Sequence, residues 1–130
     1  MTPKSPPARS SEFAHLFAEQ VHDYATILAA HYGKRKRSKD GPWVMEVPVL
    51  STTHLTEDDN QRLADGEPAP LFNADAGYIL VIEEDPAVEL AEFSSAFRAL
   101  VTALRDHLGY AYVRFDMDGE IIAGLPTFDW

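Results

Sequence analysis

The run Tyr78-Ile79-Leu80-Val81-Ile82 constrains this chain more than any other segment. Five consecutive apolar residues suit a central strand covered on both faces. Downstream, Leu90, Phe93, Phe97, Leu100, Val101, Leu104 and Leu108 recur at spacings of three and four, tracing one face of a helix that ends at Gly109. Its start is either Asp85 followed by Pro86, a cap with a first-turn proline, or Ser94 or Ser95. Tyr110 to Phe115 then alternates, with Ala111, Val113 and Phe115 on one side and Tyr110, Tyr112 and Arg114 on the other. Strand, helix and strand in succession predict a sheet with helices packed on it.

The same reasoning extends to both sides. Phe13, Phe17, Val21, Tyr24 and Leu28 define an apolar helical stripe, widened by Leu16 and Ile27, with Ser10 or Ser11 as the cap and Gly33 as the stop. Trp43 to Leu50 reads as a strand, and Pro48 places it at an edge or a bulge. Thr56 with Asp59 resembles a capping box, opening a short polar helix that ends at Gly66 and has little to bury except Leu63. GEPAPLFNADAG reads as a loop, and Asp118-Gly119 as a two-residue hairpin turn returning through Glu120 to Ala123. The order α-β-α-β-α-β-β predicts an α/β fold, bordering on α+β, with a three- to four-stranded mixed sheet. Helical crossovers make the first three strands parallel and the last hairpin antiparallel.

A chain of 130 residues fits one domain, here 11–130, behind a flexible tail, 1–10, that holds three of the nine prolines. The absence of cysteine excludes disulfides, thiolate zinc sites and thiol catalysis. The first ten residues lack the apolar run of a secretory signal, and nothing approaches the ~18 continuous apolar residues of a membrane span, so the expected location is the cytoplasm. Net charge is −10, from 21 acidic and 11 basic residues, which disfavours nucleic-acid or anionic-membrane binding by the domain as a whole. The exception is the loop 33–42, where Lys34, Arg35, Lys36, Arg37 and Lys39 cluster. That loop is a candidate contact for phosphates or an acidic partner, against the plainer reading of a solvated loop beside a helix end.

Chemistry is sparse. In a parallel sheet, sites gather beyond the strand carboxyl ends. There His54, Glu83, Asp116 and Asp118 form a candidate set of hard ligands for a divalent metal, the alternative to a chain with no cofactor. The plainer reading makes Asp118 a turn residue and Glu83 a solvated strand exit. Ser51, Thr52 and Thr53 beside His54 read as hydroxyls capping a turn, since adjacent residues rarely pair as nucleophile and base. Glu12-x-x-His15 and Glu19-x-x-His22 have di-iron spacing, but both lie on one helix opposite its apolar stripe, a solvated face. Trp130 either packs back on the domain or serves a partner as an aromatic anchor.

The block Ser51-Thr52-Thr53-His54-Leu55-Thr56-Glu57-Asp58, the strand YAYVRFDMDGE and the segment GLPTFDW together resemble a family of small bacterial proteins of unknown function, often encoded on mobile elements. The resemblance covers about residues 44–130 and implies no catalytic residue or cofactor. Together these features predict a non-catalytic acidic interaction protein, with an inhibitor of a nucleic-acid-binding partner, of the anti-CRISPR or anti-restriction type, as its specific form. The alternative is a metal-dependent hydrolase at the strand carboxyl ends.

Overall fold

The structure, a computed structural model, describes residues 7–33, 46–67, 71–74 and 77–130. The basic loop residues Lys34 to Lys39 and Trp43 lie outside these, as do residues 1–6 of the proposed tail. Helix α1 spans Pro7–Tyr32 and β1 Val49–Ser51, followed by a 3-10 turn at Thr52–His54. Next come α2 (Glu57–Ala64), β2 (Leu71–Ala74), β3 (Gly77–Val81), α3 (Pro86–Glu89), α4 (Ser95–Asp106) and β4 (Tyr112–Asp116). The class is the expected one, a four-stranded mixed sheet in the order β1-β4-β3-β2 with helices on it.

Strand β4 supplies the core. Val113 and Phe115 are buried, and the residues opposite them in register, Leu80 and Leu50, share their face and are fully enclosed. Helix α4 covers this face, with Phe97 stacked on Phe93 and its ring 5.6 Å from that of Phe115. Each such large side chain removed from water contributes about 1.5–3 kcal/mol. Helix α1 packs on α4 through Val21, Tyr24, Ala25 and Leu28. Leu16, placed by spacing on the same stripe, is instead largely exposed. The helix also begins at Pro7, ahead of the expected Ser10 or Ser11 cap.

Both suggested starts of the long helical stripe are used. Pro86 opens α3, and Ser94 caps α4 by accepting the Phe97 amide on its hydroxyl. That break explains why β3 runs antiparallel to β4, where a parallel pair was expected. The chain leaves β3 beside the start of β4, travels through α3 to Ser94, where it bonds Asp59 of α2, and returns along α4. Two legs bring it back to the end it left. β1, by contrast, runs parallel to β4, as expected. The stretch read as a loop contains β2, which pairs antiparallel with β3 at the sheet edge.

The last strand is also corrected. The turn is Asp116–Gly119: the Gly119 amide donates to the Asp116 carbonyl, and the Asp118 amide to the Asp116 side chain. Neither Met117 nor Asp118 has positive φ, whereas a two-residue hairpin of the I′ kind needs it at both central positions. Asp at the first position and Gly at the fourth are the signature of a type I turn, which splays the chain away from its own strand. Glu120 therefore crosses to the outer edge of β1 and pairs with Leu50 as a single parallel bridge.

Gly119 makes that crossing. A Cβ there would lie 2.5 Å from the Leu50 carbonyl oxygen and 2.9 Å from the Ser51 nitrogen, both backbone atoms that cannot swing aside. Gly119→Ala should cost about 1–3 kcal/mol in denaturant unfolding. A loss below about 0.5 kcal/mol, within the range of a neutral surface change, would show that the crossing has slack.

Candidate interaction rim at the carboxyl ends of β1 and β4

Parallel pairing of β1 and β4 brings Ser51 opposite Asp116, so the segments that follow both strands meet at one end of the molecule. Residues 120–130 run across residues 51–55 and are fastened there. The Ser51 amide donates to the Glu120 carbonyl at 2.8 Å, and the Phe128 amide to the Thr53 carbonyl at 2.9 Å. The Trp130 indole nitrogen donates to the Leu55 carbonyl at 2.9 Å.

His54 is the centre of this clasp. It is buried, and its Nε2 accepts the Ile122 amide at 2.9 Å. Nδ1 must then carry the proton, which it donates to the Pro126 carbonyl at 2.7 Å. Both ring nitrogens are spent on backbone. Beneath it, Ser51 accepts the Thr53 amide on its hydroxyl, the turn-capping role expected of that serine. The segments that carry the family resemblance, residues 51–58 and the closing GLPTFDW, are thus two halves of one clasp.

The residues proposed as metal ligands are not brought together. His54 has no nitrogen left to coordinate. Glu83 follows β3, whose reversed direction puts it beside the amino end of β4, roughly 20 Å of strand away from Asp116. Asp116 is held by Arg114, whose Nε and Nη2 both reach its Oδ2, at 3.0 and 2.8 Å. Asp118 is exposed in the turn. Among the described residues no group of three or more His, Asp or Glu is arranged to hold a metal. On α1, His15 and Glu19 pair at the exposed surface 3.3 Å apart, and His22 is exposed, matching the solvated-face reading.

What the clasp presents to solvent is apolar and acidic. Met117 is 67% exposed, Ile121 64% and Trp130 54%, while their neighbours Ile122 and Leu125 are buried and fix the backbone that carries them. Asp118, Glu120 and Asp129, all exposed, come from the same fifteen-residue stretch, 116–130. Trp130 ties back to the domain through its indole nitrogen on Leu55, as the packed-back reading expects, while the residue stays 54% exposed. Met117 and Ile121 were not singled out in the sequence.

Two titrations bracket the stability of the fold. The Asp118 amide, then the Arg114 guanidinium, hold the Asp116 carboxyl below its usual 3.8. Burial, then Glu120 and Tyr110, push the Tyr32 hydroxyl up to about 12 from 10.0. A depressed carboxyl stabilises the fold above its unfolded value, so the Asp116 contribution should fade as pH falls below about 4. A raised phenol does the reverse: its contribution is complete below pH ~10 and is lost as pH rises towards 12. Tyr32→Phe should flatten the alkaline limb of a stability–pH curve, and Asp116→Asn the acid limb. An unchanged limb in either variant would remove that group from the account.

The model for a family of unknown function, the DUF5983 C-terminal domain, matches residues 47–130. The chain belongs to that family. No curated protein and no solved structure matches it. Among the described residues no helix is long and apolar enough to cross a membrane.

Proposed function

We propose that this chain works by binding another protein, without catalysing a reaction, and that the rim at residues 116–130 is the contact surface. The observation that carries this reading is the exposure of Met117, Ile121 and Trp130 on a backbone locked from beneath by His54. Aromatic and large apolar side chains held in place are what binding hot spots are made of, because little side-chain freedom remains to be lost. Carboxylates around them steer a basic partner and fix its orientation. The partner that fits this chemistry is a nucleic-acid-binding protein, whose basic groove the acidic rim occupies. The chain then acts as an inhibitor, of the anti-CRISPR or anti-restriction type, encoded on a bacterial mobile element. The closing GLPTFDW segment supports that origin.

The test compares three immobilised forms against lysate of cells that carry the chain: wild type, Ile121→Lys, and Val88→Lys, an equally exposed apolar site on α3. A basic partner should be retained by wild type and Val88→Lys, lost by Ile121→Lys, and released from DNA or RNA when the chain is added. Retention of the same partners by all three forms would contradict the rim as the interface.

A further inference from the structure

A groove of about 690 Å³ lies between α1 and the α3–α4 segment and shares no residue with the rim. Its volume is in the range of roughly 300–1,000 Å³ that small-molecule sites occupy. Leu16, Phe17 and Ala87 give it apolar walls, and Gln20, Ser95 and Arg98 its polar groups. The exposure of Leu16, an exception to the α1 stripe, is exposure into this groove.

Arg98 is the anomaly. Among the arginines whose side chains are described, Arg62 pairs with Glu67, Arg114 with Asp116, and Arg105 with the Ile82 carbonyl. Among the described residues Arg98 has no such partner, and its Nε is buried without a hydrogen bond. Its guanidinium carbon sits over the Phe17 ring, 5.7 Å from the ring centre, a cation–π contact. In a chain with 21 acidic residues and a net charge of −10, an unpaired cation beside a groove is an unfilled requirement. With Nε buried, the two terminal nitrogens of the guanidinium are the ones that match a carboxylate through two parallel N–H bonds. The apolar walls call for an apolar body on the ligand, and one guanidinium with one hydroxyl offers too few donors for a phosphate dianion.

We infer that this groove binds a small organic carboxylate with an apolar body. Arg98 takes the carboxylate, the Ser95 hydroxyl adds a donor, and Leu16 and Phe17 cover the apolar part. This inference stands apart from the protein-binding rim, and either can fail alone.

The experiment titrates octanoate, phenylacetate and the uncharged octanamide into the full chain, following backbone amide resonances. Octanoate or phenylacetate should move the amides of Phe17, Gln20, Ser95 and Arg98 saturably, and octanamide should bind at least tenfold more weakly than octanoate. Arg98→Gln should lower the acid to the level of the amide. Ser95→Glu, at an exposed position, supplies a carboxylate to Arg98 from within and should weaken octanoate at least tenfold even if Arg98→Gln proves unstable. No saturable shift with either acid, equal binding of octanoate and octanamide, or unimpaired octanoate binding by Ser95→Glu would overturn the inference.

Discussion

His54→Ala is expected to lower stability by about 3–5 kcal/mol, the largest loss of any single substitution at the rim. It strands the buried Ile122 amide, at a cost of about 1–3 kcal/mol, leaves the part-buried Pro126 carbonyl without its donor, and adds a cavity where the ring was. Because residues 120–130 lose their central tie, the Ile122 and Phe128 amides should exchange with solvent much faster than in wild type, relative to the amides of α4. A loss under about 1 kcal/mol, with those amides still protected, would mean that the clasp holds without the imidazole.

Asp59→Ala is expected to cost about 2–4 kcal/mol. Asp59 is buried, and its carboxylate accepts both the amide and the hydroxyl of Ser94, whose oxygen in turn accepts the Phe97 amide. One acid therefore ties α2 to the first turn of α4, with its negative charge at the favourable end of that helix. Hydrogen bonds to a charged group contribute about 1.5–3 kcal/mol, and removal strands the Ser94 donors as well. Asp59→Asn keeps a carbonyl for the Ser94 amide and should recover part of the loss, which separates bonding from packing. Equal stability of wild type and Asp59→Ala in urea unfolding would refute the tie.

Local signals in the sequence translated well. The stripe through Phe97, Leu100 and Leu104 is the buried face of α4, Ser94 is its cap, and alternation placed Val113 and Phe115 inward. Thr56 caps α2 as its spacing implied, by accepting the Asp59 amide. Asp59 itself was missed as a core residue because its partner Ser94 is 35 positions away. Strand direction was missed for a related reason. Tyr78 to Ile82 looks the same in a parallel or antiparallel neighbour, and only the leg from β3 to Ser94 decides between them. The Asp118-Gly119 dipeptide misled because a glycine may be selected for positive φ or for lack of a Cβ, and here the Leu50 backbone requires the latter.

The candidate site was legible as residues but not as roles. His54 stood out, yet its work is set by backbone groups 68 and 72 positions away. Glu83 looked equivalent to Asp116 at a strand exit until the direction of β3 separated them. Exposed apolar side chains on a buried scaffold have no local signature, so Met117 and Ile121 became visible only with the fold.

The most direct measurement is the affinity of the captured partner for wild type and for Ile121→Lys, titrated under one set of conditions with melting temperatures matched. The rim as binding surface predicts a loss of at least about tenfold, worth roughly 1.4 kcal/mol, and a wild-type affinity that falls as salt rises. Equal affinities for the two forms, with both fully folded, would contradict it.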